Sequence, residues 1–194
     1  MAEVVLFEDN FESGLGKWTG SSGGPTSGLI VQDPLATSRG NVLTFTSFSY
    51  TGDIFTASEI SSVGYVAIHV SFDYLGMYGG SGGFVGVATG NPFVAGGWIA
   101  GVDQSAANGA GFTGIGISND GYWHNYDIDI TSMINWNSLN DFYLIAEDWG
   151  DSGRSHGAYF DNIKVTGSVP EPSALSLLAL GLGGLAILRR RRRS

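Results

Sequence analysis

The stretch YVAIHVSFDYLGMY, residues 65–78, decides the fold. Val66, Ile68, Val70, Phe72 and Tyr74 recur at every second position, with Ala67, His69, Ser71 and Asp73 between them. A period of two places alternate side chains on opposite faces of an extended chain, which is the pattern of a half-buried β-strand. The same alternation recurs on both sides of it. It is present in VLTFTSF (42–48), GFVGVA (83–88), GWIAGVD (97–103), GFTGIGIS (111–118), WHNYDIDIT (123–131), FYLIAEDW (142–149) and AYFDNIKVTG (158–167). In WHNYDIDI, Tyr126, Ile128 and Ile130 share one face.

Turn chemistry separates these runs. SSGGP (21–25), GGSGG (79–83), GNP (90–92), NDG (119–121) and GDSG (150–153) supply the residues that tolerate left-handed or tight backbone. TSMINW (131–136) is the one segment that reads as a short helix or, equally, a loop. About ten short strands joined by glycine-rich turns predict an all-β fold, an antiparallel jelly-roll β-sandwich. No long internal repeat is present. The glycine-rich segments lack the lysine and the following helix of a phosphate-binding loop.

The 194 residues divide into a body, 1–168, and a tail, 169–194. The body holds 17 acidic residues against four basic ones (Lys17, Arg39, Arg154 and Lys164), a formal charge of −13, whereas the tail carries +4. So acidic a body repels a phosphate backbone, which argues against nucleic-acid binding. The chain has no cysteine, so neither disulfides nor thiolate chemistry contribute. About 168 residues bury a core without staples.

The tail reads VPEPSALSLLALGLGGLAILRRRRRS. Residues 174–188 carry no charge and include seven leucines. As a single transmembrane helix they span about 22 Å, short of a hydrocarbon core of about 30 Å, a gap that arginine snorkelling and local thinning make up. The positive-inside rule leaves Arg189, Arg190, Arg191, Arg192 and Arg193 cytoplasmic and the body outside. Pro170 and Pro172 keep the junction extended.

Val169-Pro170-Glu171-Pro172, the leucine- and glycine-rich run and the terminal arginines resemble, in this order, the PEP-CTERM sorting signal of Gram-negative bacteria. The resemblance implies that Pro170, Glu171 and Pro172 are recognised by an exosortase, a membrane-embedded cysteine transpeptidase-like enzyme. It implies processing near that element, passage through the inner membrane, and delivery to the cell envelope or the extracellular matrix beside exopolysaccharide. Such a protein is expected to be made with an N-terminal leader. MAEVVLFEDNF has no basic segment and no long apolar stretch, and Ala2-Glu3 reads as a mature start.

In the body, Asn10, Phe11, Glu12, Gly14 and Trp18 near the start, with Phe160, Asp161, Asn162 and Ile163 near the end, resemble the opening and closing strands of jelly-roll carbohydrate-binding modules. That resemblance implies a structural calcium ion held by Glu12 and Asp161, with Asp9 as a further candidate. Hard oxygen ligands suit the ion.

Sugar recognition needs an aromatic face and planar hydrogen-bonding groups. EDWGDSGRSHG (147–157) offers Trp149, Asp148, Asp151, Arg154 and His156, and GYWHN (121–125) is a similar cluster. Catalysis has little support. Asp127 and Asp129 share a strand face, as a glycosidase pair could, but His69, His124 and His156 are dispersed and no Gly-x-Ser-x-Gly elbow exists. The sequence therefore predicts a non-catalytic exported protein associated with exopolysaccharide. The alternatives are a purely structural matrix component and a secreted glycan-active enzyme.

Overall fold

The structure is a computed structural model and describes residues 2–20, 27–45, 54–77, 82–88, 97–102, 114–132, 141–149 and 157–170. These form thirteen strands. They are β1 (Ala2–Asp9), β2 (Trp18–Gly20), β3 (Gly28–Gln32), β4 (Asn41–Phe45), β5 (Ile54–Thr56), β6 (Ile60–Ser61), β7 (Ala67–Gly76), β8 (Gly82–Ala88), β9 (Gly97–Gly101), β10 (Ile115–Gly116), β11 (Trp123–Asp129), β12 (Asp141–Trp149) and β13 (Ala158–Val169). Residues 131–132 form a turn, and the rest of TSMINW lies outside the described residues, as does the tail beyond Pro170.

Two sheets make the sandwich. The first runs β11-β7-β13-β4-β3, with β1 also paired to β13. The second runs β10-β9-β8-β12-β5-β2, with β6 also paired to β12. All pairings are antiparallel except that of β10 with β9, which is parallel and two residues long. The all-β sandwich read from the alternation is therefore present, with three more strands than the runs suggested and one parallel pair at an edge.

Strand β7 shows why. Ile68, Val70, Phe72 and Tyr74 are each at most 1% exposed, while His69 and Ser71 between them remain part-exposed. Val66 does not join the face: it precedes the strand and is 49% exposed. Against the β7 row stand Leu144, Ala146, Val85 and Val87 of the second sheet, within one continuous core. Each fully buried aliphatic or aromatic side chain contributes about 1.5–3 kcal/mol. Phe160 is the hub, with Tyr74 at 5.1 Å and Phe45 and Phe72 both at 6.1 Å between ring centroids.

Gly83 permits that hub. A Cβ there would lie 2.5 Å from Tyr74 and 2.6 Å from Phe160. The Gly83 amide instead donates to the Tyr74 hydroxyl at 2.9 Å, which satisfies a phenol whose ionisation burial pushes far up.

Strand β13 changes phase once. Asp161 is opposite Asp73 and Lys164 is opposite Ser71, so Asn162 and Ile163 together face Phe72 alone. This is a β-bulge, and Asn162 takes the left-handed backbone (φ 50) that asparagine tolerates better than most residues. The extra residue turns Ile163 and Val165 inward after Phe160, at 1%, 0% and 0% exposure.

Candidate functional site

Two outer faces carry side chains beyond what the core explains. On the first sheet, β11, β7 and β13 place Asn125, Asp73 and Asp161 in one cross-strand row. Asp73 and Asp161 face each other as like charges, 7% and 2% exposed, an arrangement that is unfavourable without a counter-charge. Arg39, from the segment between β3 and β4, supplies it. Its guanidinium donates to Asp73 Oδ2 and reaches Asp161 Oδ2 at 3.5 Å.

Amides complete the network. Asn125 Nδ2 donates to Asp73 Oδ1 at 2.9 Å, and Asn162 Nδ2 donates to Asp73 Oδ2 at 2.8 Å and to Asp161 Oδ2 at 3.1 Å. Burial pushes the Asp73 carboxyl up, but the bonds from Asn162, Asn125 and Arg39 outweigh it and hold it below the ordinary carboxylate value. Asp161 goes the other way: burial, with Asp73 beside it, raises it despite Asn162 and Arg39.

The segment carrying Arg39 is itself fixed by Asp33. Asp33 Oδ1 accepts from Leu35 N at 3.0 Å, and Oδ2 accepts from Thr37 N at 2.8 Å and from the Thr37 hydroxyl. Trp123 Nε1 also donates to Asp33 Oδ1, at 3.0 Å. Arg39 Cζ then lies 4.6 Å from the Trp123 ring centroid, a cation–π contact. The GYWHN cluster is thus drawn into a structural lock, because one face of Trp123 is taken by Arg39.

The outer face of the second sheet is different. Along β12, Phe142, Leu144 and Ala146 point into the core, so Tyr143, Ile145 and Glu147 point outward. An outward row is ordinarily polar. Here Ile145 packs with Phe55 and Ala88, and Trp98 and Tyr143 lie half-buried against them. Phe55 meets Tyr143 edge-on at 5.8 Å, and Phe84 meets Trp98 at 5.5 Å. Gly86 clears the space for Trp98, since a Cβ there would stand 2.8 Å from the indole. Glu147 is opposite Phe84 in register and 2% exposed. Two half-buried aromatic rings on one sheet face can hold the C–H face of a sugar ring.

The residues singled out by sequence are distributed otherwise. Glu147 to Trp149 belong to strand β12, the end of the run FYLIAEDW. Asp148 is 1% exposed on the inward side, with Oδ2 accepting from Gly157 N at 3.4 Å, so it cannot reach a ligand arriving from solvent. The cause is the strand's alternation, which runs one position past the apolar run. Trp149 ends β12 opposite Gly82; its side chain, with Asp151, Arg154 and His156, lies outside the described residues.

The three calcium candidates do not form a ligand set. Asp9 spends one oxygen on Phe11 N (2.9 Å) and the other on Trp18 Nε1 (2.8 Å). Glu12 Oε1 accepts from Asn41 N at 2.8 Å, and Asp161 lies in the Arg39 network. Among the described residues, no three His, Cys, Asp or Glu side chains come together to hold a metal ion. The residues present do not fit the ion that the resemblance implied. Asp127 and Asp129 both face solvent; Asp127 pairs with His69 at 3.2 Å and Asp129 caps Thr131 N at 2.8 Å.

The sandwich is the jelly roll of carbohydrate-binding modules. It is similar to the CBM22-1–CBM22-2 tandem domain of Paenibacillus barcinonensis Xyn10C (TM-score 0.53, 18% identity), covering 84% of this chain and 50% of that one. The present chain therefore spans half of that tandem. It is also similar to the CBM22-1 xylan-binding domain of the same Xyn10C (TM-score 0.54, 10% identity, 88% and 98% covered). A third similar structure is the K3 cleaved adhesin domain of Lys-gingipain from Porphyromonas gingivalis (TM-score 0.51, 15% identity, 85% and 99% covered). At these identities the likeness is one of fold. No curated protein matches the sequence. Residues 168–193 match the PEP-CTERM protein-sorting motif, so the chain carries a sorting signal behind a carbohydrate-binding-module fold.

Proposed function

We propose that this is a non-catalytic exported protein, held in the membrane as a precursor by residues 174–188, recognised at Pro170, Glu171 and Pro172 by an exosortase, and released or retained at the cell surface to bind a glycan. The arginine tail stays cytoplasmic until processing. The glycan is an exopolysaccharide of the producing cell or another polysaccharide such as xylan.

The observation that carries the binding reading is the outward face of β12 and its neighbours. Trp98 and Tyr143 are aromatic and half-buried where a sandwich surface is ordinarily polar. Sorting is supported by the motif at 168–193.

Titration of the full chain into exopolysaccharide and into xylan, with calcium and then with chelator, tests the reading. Saturable binding is expected, lost at least tenfold in Trp98→Ala and Tyr143→Ala while thermal unfolding remains cooperative. Absence of binding by the folded protein would refute the glycan site and favour a structural matrix component. Mass spectrometry of the natively exported protein should find no peptide from residues 174–194.

A further inference from the structure

The sorting motif begins inside the folded body. Its match opens at Ser168, yet Ser168 and Val169 are strand residues, in register with Glu3 and Ala2 of β1. The ladder therefore ends where the signal starts, and only residues 170–173 separate it from the apolar run. Four extended residues reach about 14 Å. The headgroup layer on one side of a bilayer takes up about 5–7 Å of that. The apolar run is also shorter than the hydrocarbon core, which draws its ends inward rather than outward.

Four exposed valines stand at the end of the sandwich beside this junction, with exposed Glu3 between Ala2 and Val4. Val4 (39% exposed) and Val5 (46%) are opposite Gly167 and Thr166. Val66 (49%) donates its amide to Ser168 O at 2.8 Å, and Val63 (65%) lies in the adjoining turn closed by Tyr65 N to Ser62 O. Tyr65 itself packs on Gly167, where a Cβ would lie 2.5 Å from its ring. These valines are four of the eight exposed large apolar residues among those described.

We propose that this valine-bearing end is a lipid-facing surface, resting on the bilayer interface for as long as the C-terminal signal remains attached. The inference rests on the membrane-precursor reading above. The tether is too short to hold the end away from the lipid, and the apolar side chains stand at the root of that tether. Processing then frees the body from a surface it does not bind strongly by itself.

The absence of cysteine in the chain makes single-site labelling clean. Val63→Cys reports the proposed face. Tyr122→Cys is the control: it precedes Trp123, which is opposite Leu75 near the far end of β7, about 30 Å from Ala67. Each full-length variant is labelled with bimane and placed in phosphatidylcholine nanodiscs that contain a headgroup spin-labelled lipid. Quenching at least threefold stronger at position 63 than at position 122 is expected. Inserting about 20 Gly/Ser residues between Val169 and Pro170, which lets the ends separate by roughly 25 Å, should remove the difference. Equal quenching at the two positions, in a chain that co-elutes with the discs, would overturn the lipid-facing surface and leave the precursor reading intact. A chain that does not co-elute with the discs would overturn both. Quenching at position 63 that persists with the long insertion would overturn the tether argument and with it the proposal.

Discussion

Replacing Arg39 by methionine isolates the energetics of the Asp73–Asp161 row. Methionine keeps the aliphatic length and removes the charge, the donors and the contact with Trp123. Breaking a buried ion pair from one side costs about 3–5 kcal/mol. The Arg39 side chain is 26% exposed, so solvent screening lowers the figure, and about 2–3 kcal/mol is expected. For a body of this size that lowers Tm by about 5–10 °C.

The pH dependence carries the sharper test. Asp73 is held below its ordinary value, so its stabilising contribution is present above about pH 4 and is lost as pH falls through its folded value. Asp161 is held above its ordinary value, so it costs stability as pH rises from about 4 through its folded value. Without Arg39 both carboxyls shift up. The deficit of the variant is then largest at neutral pH and shrinks as pH falls towards about 4. Urea unfolding followed by tryptophan fluorescence, at neutral pH and at about pH 5, reads both quantities. A loss below about 0.5 kcal/mol, the size of an exposed pair, or a loss that does not change with pH, would refute the view that Arg39 neutralises a buried carboxylate row. Arg39→Lys should recover part of the loss, since charge returns without the planar fork.

Gly83→Ala places a methyl group within 2.6 Å of Tyr74 and Phe160 and should cost about 1–3 kcal/mol, measured by the same unfolding experiment; a neutral result would mean that the hub has room to spare. Asp9→Asn leaves one oxygen to serve both Phe11 N and Trp18 Nε1, and a loss of about 1–2 kcal/mol is expected by thermal unfolding, with no change in glycan affinity.

Some of this was legible in the chain itself. The alternation in 65–74 and 123–130 identified β7 and β11 and their inward faces, because each of those strands keeps one phase throughout. The C-terminal signal was legible because its three parts are contiguous. The charged row was not. Arg39 is 34 residues from Asp73 and 122 from Asp161, and nothing local marks an arginine that will be needed so far away. The aromatic face was hidden for a different reason. The alternation of FYLIAEDW marks a strand, while the conspicuous polar and aromatic residues stand in EDWGDSGRSHG. The signal was within the strand: Tyr143 and Ile145 are apolar at the positions that alternation sends outward. A strand apolar on both faces is either covered or used.

The bulge at Asn162 and Ile163 works as a parity setting for the last seven residues of β13. Removing one residue there would exchange the two faces, turning Lys164 and Thr166 towards the core and Val165 towards water. It would also shift β1, whose partners run from Ile163 to Val169. Insertions and deletions should therefore accumulate elsewhere as this chain diverges. The few residues around 162 should keep a constant count even where their identities drift, and related chains can be aligned from that fixed point outward.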